Sequence, residues 1–235
     1  MACRIPRVRG GRRTSPERRT ARGEARRGLL GTVTVYDDER TAYDEAAHWF
    51  AATTRLVDGR WAEPGLGEWD VRALVGHTSR ALLTVEAYLA NPAPAVEVAT
   101  TADYYAATRA ATTGPQVAQR GRDAGAALGD DPPAAVTRLV AQVTALLTHT
   151  DGTELLTTIA GGMRLADYLP TRTFELVVHT ADLATALGAP AEPPPSAAAS
   201  ALRVLSALAV QGRAAGAVLL AATGRGPLPD QFSIL

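Results

Sequence analysis

Residues 171–187 read TRTFELVVHTADLATAL, and the reading of this stretch decides the fold. Arg172, Glu175, His179 and Asp182 stand three, four and three residues apart in a run that is otherwise mostly apolar. On an α-helix, residues three or four apart share a face. The spacing therefore predicts a helix with a single polar stripe. Glu175 and His179, one turn apart, have the separation at which two side chains of one helix share a metal ion, as the two His of HExxH do. The same stripe also describes a solvated face, because Arg172–Glu175 and His179–Asp182 are i,i+3 opposite-charge pairs worth about 0.2–0.5 kcal/mol each. A third ligand elsewhere in the chain would separate the two readings.

Outward from this stretch, the 235-residue chain is 46% apolar, enough for one substantial core plus tails. All 24 basic residues are arginine, and the formal net charge of zero hides an asymmetry. Residues 1–31 hold ten Arg and two Glu, a net of +8, leaving 14 Arg against 22 acids and a net of −8 for the remainder. No apolar run reaches the roughly 20 residues a bilayer span requires, and the N-terminus lacks the hydrophobic core of a secretory signal. The one cysteine, Cys3, excludes intrachain disulfides and cysteine-based metal motifs. These features predict a cytoplasmic protein that does not enter a membrane. Residues 1–36 have no helical or strand period and are expected to be a disordered Arg-rich tail. Clustered Arg attracts phosphates, but the Arg cluster has no aromatic side chain for stacking on bases. It reads as an unselected extension rather than a nucleic-acid arm.

Apolar periodicity predicts helices near 38–57, 70–90, 133–148 and 171–187, with a fifth at 196–222. Asp70 is a good N-cap for the second, and Trp69 with Leu74 has the spacing of a hydrophobic staple. Gly76 interrupts that helix at a cost of up to about 1 kcal/mol against alanine, which is tolerated where a neighbouring helix or a ligand must approach closely. His77 follows it. The middle, 92–132, reads as two short helices, 103–111 and 116–128. Residues 155–166 read as a hairpin-like excursion, after which Asp167-Tyr168-Leu169-Pro170 starts the stripe helix. The run APAEPPPS after Gly188 is a stiff linker, and the end of the chain is expected to pack back through Phe232, Ile234 and Leu235. His48 reads as structural and His149 as a cap at a helix C-terminus. The expected fold class is all-α: a tail (1–36), a helical bundle domain (37–188), and a Pro-rich linker with a C-terminal helix and tail (189–235). Bundles build metal sites from side chains on facing helices.

Trp69-Asp70-Val71-Arg72 followed by Gly76-His77, and about a hundred residues later Arg172-x-x-Glu175-x-x-x-His179-x-x-Asp182-Leu183, resembles the metal-binding domain of mycothiol-dependent maleylpyruvate isomerases. That domain belongs to the DinB/YfiT-like superfamily of four-helix bundles. The resemblance covers roughly residues 37–188. It implies that His77, Glu175 and His179 ligate a divalent metal, zinc in that family. Two His and one Glu with no fourth protein ligand is the donor set of catalytic zinc, although it also suits iron(II). A thiol at the open position is deprotonated by the ion, which implies mycothiol as a cosubstrate and an electrophilic small-molecule substrate. Asp182 is placed to orient the His179 ring. Arg172 either braces Glu175 or anchors a carboxylate of a bound molecule. In the isomerases a second, C-terminal domain follows, and it is not evident in the 47 residues after Gly188. The leading expectation is therefore a metal-dependent, thiol-using isomerase or S-transferase of unknown substrate. The alternative is a non-catalytic metal-binding bundle acting as a sensor or interaction module. A nucleic-acid-associated role through the tail comes third.

Overall fold

The computed structural model describes residues 35–109 and 115–235, so residues 1–34 of the tail expected over 1–36 lie outside them. Val35 and Tyr36, counted with that tail, already belong to the first helix. Among the described residues there are eight α-helices, α1 (Val35–Thr54), α2 (Val71–Leu89), α3 (Thr101–Thr108), α4 (Pro115–Ala127), α5 (Pro132–Leu147), α6 (Leu165–Ala186), α7 (Pro195–Gln211) and α8 (Ala215–Ala222). Four short strands accompany them, β1 (Pro64–Leu66), β2 (Trp69–Asp70), β3 (Leu155–Thr158) and β4 (Gly161–Arg164). The all-α bundle expected from periodicity is present. Helices α1, α6, α2 and α5 pack in that cyclic order, each against the next, and α7 lies against α1 and α6.

The core follows the helical period. Tyr43, Ala47 and Phe50 of α1, Leu74 and Leu82 of α2, Val136 and Val143 of α5, and Leu169, Leu176 and Leu183 of α6 are all buried in one cluster. Burying each large apolar side chain contributes about 1.5–3 kcal/mol. A polar tie reinforces the α1–α7 contact: buried Glu39 accepts from Ser200 Oγ at 2.5 Å and from Arg203 Nη2 at 2.5 Å.

Two boundaries differ from the sequence expectation. The stripe helix begins at Leu165 rather than after Pro170, so the proline sits inside its second turn. A helical proline forfeits one backbone bond, but Leu165, Tyr168 and Leu169 are completely buried, and their packing holds the extra turn. The last predicted helix, 196–222, is two helices. Gly212, Arg213 and Ala214 close α7 with a Schellman pattern: Arg213 N bonds Val210 O at 3.2 Å, Ala214 N bonds Ala209 O at 2.8 Å, and Arg213 has φ +56°. Of the apolar residues at the chain end, Ile234 packs on the core while Leu235 is exposed.

The hairpin expected over 155–166 is observed as antiparallel β3–β4. Residues 91–98 run across it, with Ala93 N bonding Leu155 O (2.9 Å) and Val98 N bonding Gly162 O (3.0 Å). This strap delivers the chain to α3, whose N-cap Thr100 accepts from Asp103 N at 3.1 Å. Helix α3 is thereby laid beside α6, where it matters for the polar stripe.

Candidate metal centre

Two helices supply the centre. Asp70 caps α2 by accepting from Ala73 N at 2.7 Å, which sets His77 two turns into the helix. Gly76 beside it is required by a neighbouring helix: a Cβ there would lie 2.1 Å from Gly125 N of α4. Gly121, one turn earlier on α4, receives the Trp69 ring, whose Nε1 donates to Ala118 O at 3.0 Å. The other face of the same indole lies against His77, with ring centroids 4.4 Å apart and planes tilted by 32°. Arg72 completes the docking by donating from Nε to Gly125 O (3.0 Å) and from Nη2 to Gly129 O at the end of α4. The Trp69-Asp70-Val71-Arg72 run is thus a capping and docking device that fixes the frame holding His77.

Helix α6 presents its stripe to this frame. The His77 and His179 rings meet edge to face, 4.7 Å apart and at 85°. His179 Nε2 is 3.4 Å from Glu175 Oε2, and His179 Nδ1 is 3.0 Å from Asp182 Oδ2. One ligand atom from each of His77, Glu175 and His179 lies within 4.8 Å of the others. Among the described residues this is the one cluster of three such side chains with room for an ion between them.

Of the two sequence alternatives for Arg172, a direct brace on Glu175 is not among its contacts. Its guanidinium rests on the faces of Tyr104 (5.4 Å) and Tyr168 (5.1 Å), and its Nε donates to Thr171 Oγ1 at 2.9 Å. Among the described residues it forms no ion pair with Glu175. What braces Glu175 is Tyr105 of α3, whose hydroxyl donates to Glu175 Oε1 at 3.0 Å with the Thr171 carbonyl oxygen 3.2 Å away. No sequence signal singled out Tyr104 or Tyr105, since tyrosines on a short helix in an ambiguous stretch read as packing. His48 pairs with Asp44 on the exposed face of α1, and His149 is exposed after α5, so neither reaches the centre.

The protonation pattern follows from these contacts. Burial, then the positive charge of His179, pushes His77 down to about 4, so its imidazole is neutral at physiological pH. Burial opposes charge on His179 too, but its bonds to Asp182 and Glu175 outweigh it and hold the pKa near 9. Burial alone would raise Glu175, yet the bond from His179 and the charge of Arg172 lower it to about 2. The metal-free centre therefore contains one neutral imidazole, one imidazolium and one carboxylate. The donors fit a divalent ion on two counts. The buried Nδ1 of His77 has no hydrogen-bond partner, and such an orphan costs about 1–3 kcal/mol if nothing binds it. His179 bonds a carboxylate through one nitrogen while turning the other toward Glu175, as a metal-ligating His does.

The family model of the mycothiol maleylpyruvate isomerase N-terminal domain matches residues 42–184. The chain belongs to this family. The match begins within α1 and ends at the last turn of α6, so it takes in every element that contributes to the centre. No curated protein and no solved structure matches the chain. The resemblance drawn from the Trp69 and Arg172 motifs is therefore confirmed at the level of the family, and the structure brings His77, Glu175 and His179 to one place.

Proposed function

We propose that this protein of the mycothiol maleylpyruvate isomerase N-terminal domain family holds a divalent metal, zinc by family membership, through His77, Glu175 and His179. In this reading it uses the centre to activate a low-molecular-weight thiol, mycothiol by family membership, for attack on an electrophilic small molecule in an isomerase or S-transferase reaction. The observation that carries the reading is the convergence of one donor atom from each of the three side chains within 4.8 Å on two facing helices. Two imidazoles and one carboxylate leave a coordination position for a ligand from solution, the arrangement of catalytic rather than structural zinc. When bound, a divalent ion supplies Lewis acidity that makes a thiol at that position a thiolate at neutral pH.

The chain's own residues then have defined tasks. Asp182 holds the His179 ring with its Nε2 toward Glu175 and His77. Trp69 walls off the His77 side from water and keeps that imidazole neutral. Arg172, whose Nη groups bond none of the described residues, anchors an anionic group of the bound cosubstrate or substrate, because a guanidinium suits bidentate recognition of a carboxylate. No cysteine is present among the described residues, and in this reading the nucleophilic sulfur comes from the cosubstrate.

Metal analysis tests the site. The purified protein is expected to carry about one divalent ion per chain, and His179→Ala is expected to lose it; a stoichiometric ion in that variant overturns the ligand assignment. Adding mycothiol to the cobalt-substituted protein tests the chemistry. A new sulfur-to-metal absorption supports thiol activation, whereas an unchanged spectrum at saturating thiol assigns the centre to a non-catalytic module.

A further inference from the structure

Glu175 has two oxygens, and they are treated differently. Oε2 lies 3.4 Å from His179 Nε2, inside the candidate centre, while Oε1 accepts the Tyr105 hydroxyl at 3.0 Å. The phenol is held independently of the stripe. Its ring packs edge to face on Phe174 and on Tyr104, each with centroids 5.8 Å away. Its helix, α3, is capped by Thr100 and fastened to α6 by Thr101 Oγ1 donating to Asp167 O at 2.8 Å. From α7, Gln211 Nε2 adds a bond to Asp103 Oδ1 at 3.3 Å. A carboxylate free at both oxygens can close on a cation with either one or two of them. One already committed to a fixed donor presents the other alone.

We propose that Tyr105 is a positioning residue for the metal centre: by occupying Glu175 Oε1 it turns Oε2 alone toward His77 and His179, so that the carboxylate contributes one ligand atom and the position for a ligand from solution stays open. The proposal rests on the metal reading above and adds to it a residue from a helix outside the four-helix core. The same hydroxyl also faces the Thr171 carbonyl, which pins it over the first turn of the stripe. A tyrosine that served only to dock α3 would need its ring and that carbonyl, but not the carboxylate.

The test is a visible-absorption titration of the metal-free protein with Co(II), comparing the unaltered chain with Tyr105→Phe and Tyr104→Phe. Tyr105→Phe keeps the ring packing and deletes only the hydroxyl. It is expected to weaken cobalt binding about 10–100-fold, the usual effect of removing a group that orients a metal ligand. Its spectrum at saturation is expected to change as Oε1 is released. Tyr104→Phe, whose ring still covers Arg172, is expected to match the unaltered protein in both respects. A Tyr105→Phe spectrum superimposable on the original at saturation overturns the proposal, whatever happens to affinity or melting temperature. Failure of the unaltered protein to bind cobalt overturns the metal reading itself and the role of Tyr105 with it.

Discussion

Replacing Gly76 by alanine sets two physical effects against each other, and the structure decides the sign. Alanine is favoured over glycine inside a helix by about 1 kcal/mol, so propensity alone makes Gly76→Ala stabilising. The added Cβ, however, would lie 2.1 Å from Gly125 N, 2.5 Å from Gly125 Cα and 2.7 Å from Ala124 C, all backbone atoms that cannot rotate away. Reaching an ordinary contact of 3.4 Å requires α2 and α4 to separate by roughly 1.3 Å at the crossing (3.4 less 2.1). The Arg72–Gly125 and Trp69–Ala118 bonds, both 3.0 Å, span that crossing and would stretch beyond useful length. Overpacking costs about 1–3 kcal/mol, and a bond from a charged donor is worth about 1.5–3 kcal/mol. Against the propensity gain, the net is a destabilisation of about 2–5 kcal/mol. At about 2–4 °C per kcal/mol for a domain of this size, thermal unfolding followed by circular dichroism should show a fall of roughly 4–20 °C. Gly125→Ala should behave alike, since its Cβ would meet Arg72 O at 2.6 Å. Gly216→Ala, in α8 with nothing within 4 Å, should melt at or slightly above the parent. A Gly76→Ala protein as stable as the parent would show that the helices do not cross there, and would remove the physical basis for the Trp69–His77 wall.

Two further outcomes follow from the interior of α6 and from the protonation pattern. Thr180 is fully buried and its hydroxyl has no partner, whereas those of Thr53, Thr78 and Thr173 each bond the carbonyl four residues back. Thr180→Val removes an unsatisfied group of about 1–3 kcal/mol and should raise the melting temperature by several degrees; an unchanged or lower value would count against the orphan. In the metal-free protein, His179 has a folded pKa near 9 against about 6.5 unfolded, so its contribution is complete below pH 6.5 and is lost as pH rises to 9. His77, depressed to about 4, acts oppositely: the unfolded chain binds the extra proton between pH 4 and 6.5, so stability climbs with pH across that window. Glu175, lowered to about 2, contributes fully above pH 4.5 and loses its effect as pH falls toward 2. Denaturant-derived stability in a chelator should therefore peak near pH 6.5 and decline above it, at a rate approaching 1.4 kcal/mol per pH unit. If His179→Gln keeps the same alkaline decline, the imidazolium is not its source.

The candidate centre was largely legible because its three residues obey helical periodicity. Glu175 and His179 are four apart on one helix, and His77 follows a capping residue that fixes the helix start, so pattern and chemistry coincide. What escaped was everything that depends on which elements meet. Gly76 carries no mark that distinguishes a helix crossing from ligand access; only the approach of Gly125 does. The extra turn before Pro170 is held by tertiary burial of Leu165 and Leu169, which overrides the local rule for proline. Tyr105 reaches Glu175 from 70 residues away through a strap, a cap and a short helix, none of which leaves a periodic trace. The break between α7 and α8 turns on Arg213 adopting a left-handed conformation where glycine is the usual choice, while the glycine present, Gly212, stands one position earlier with φ −78°.

Charge bookkeeping links the stripe to the kind of ligand the centre should accept. In the metal-free state Arg172 and the His179 imidazolium carry two positive charges, and Glu175 and Asp182 two negative ones, so the stripe is neutral despite its partial burial. A largely buried cluster tolerates charge only when it is balanced. Exchanging the His179 proton for a divalent ion leaves the same groups with a net charge of +1. A neutral fourth ligand such as water or a thiol would preserve that excess in a region of low dielectric. An anion removes it, and a thiolate formed at the open position does so by releasing its own proton. The pairing of Arg172 with the aromatic faces of Tyr104 and Tyr168, rather than with a carboxylate, keeps that positive charge uncommitted among the described residues. The polar stripe is thus balanced without the ion and short of one negative charge with it, which favours an anionic ligand from solution over a neutral one.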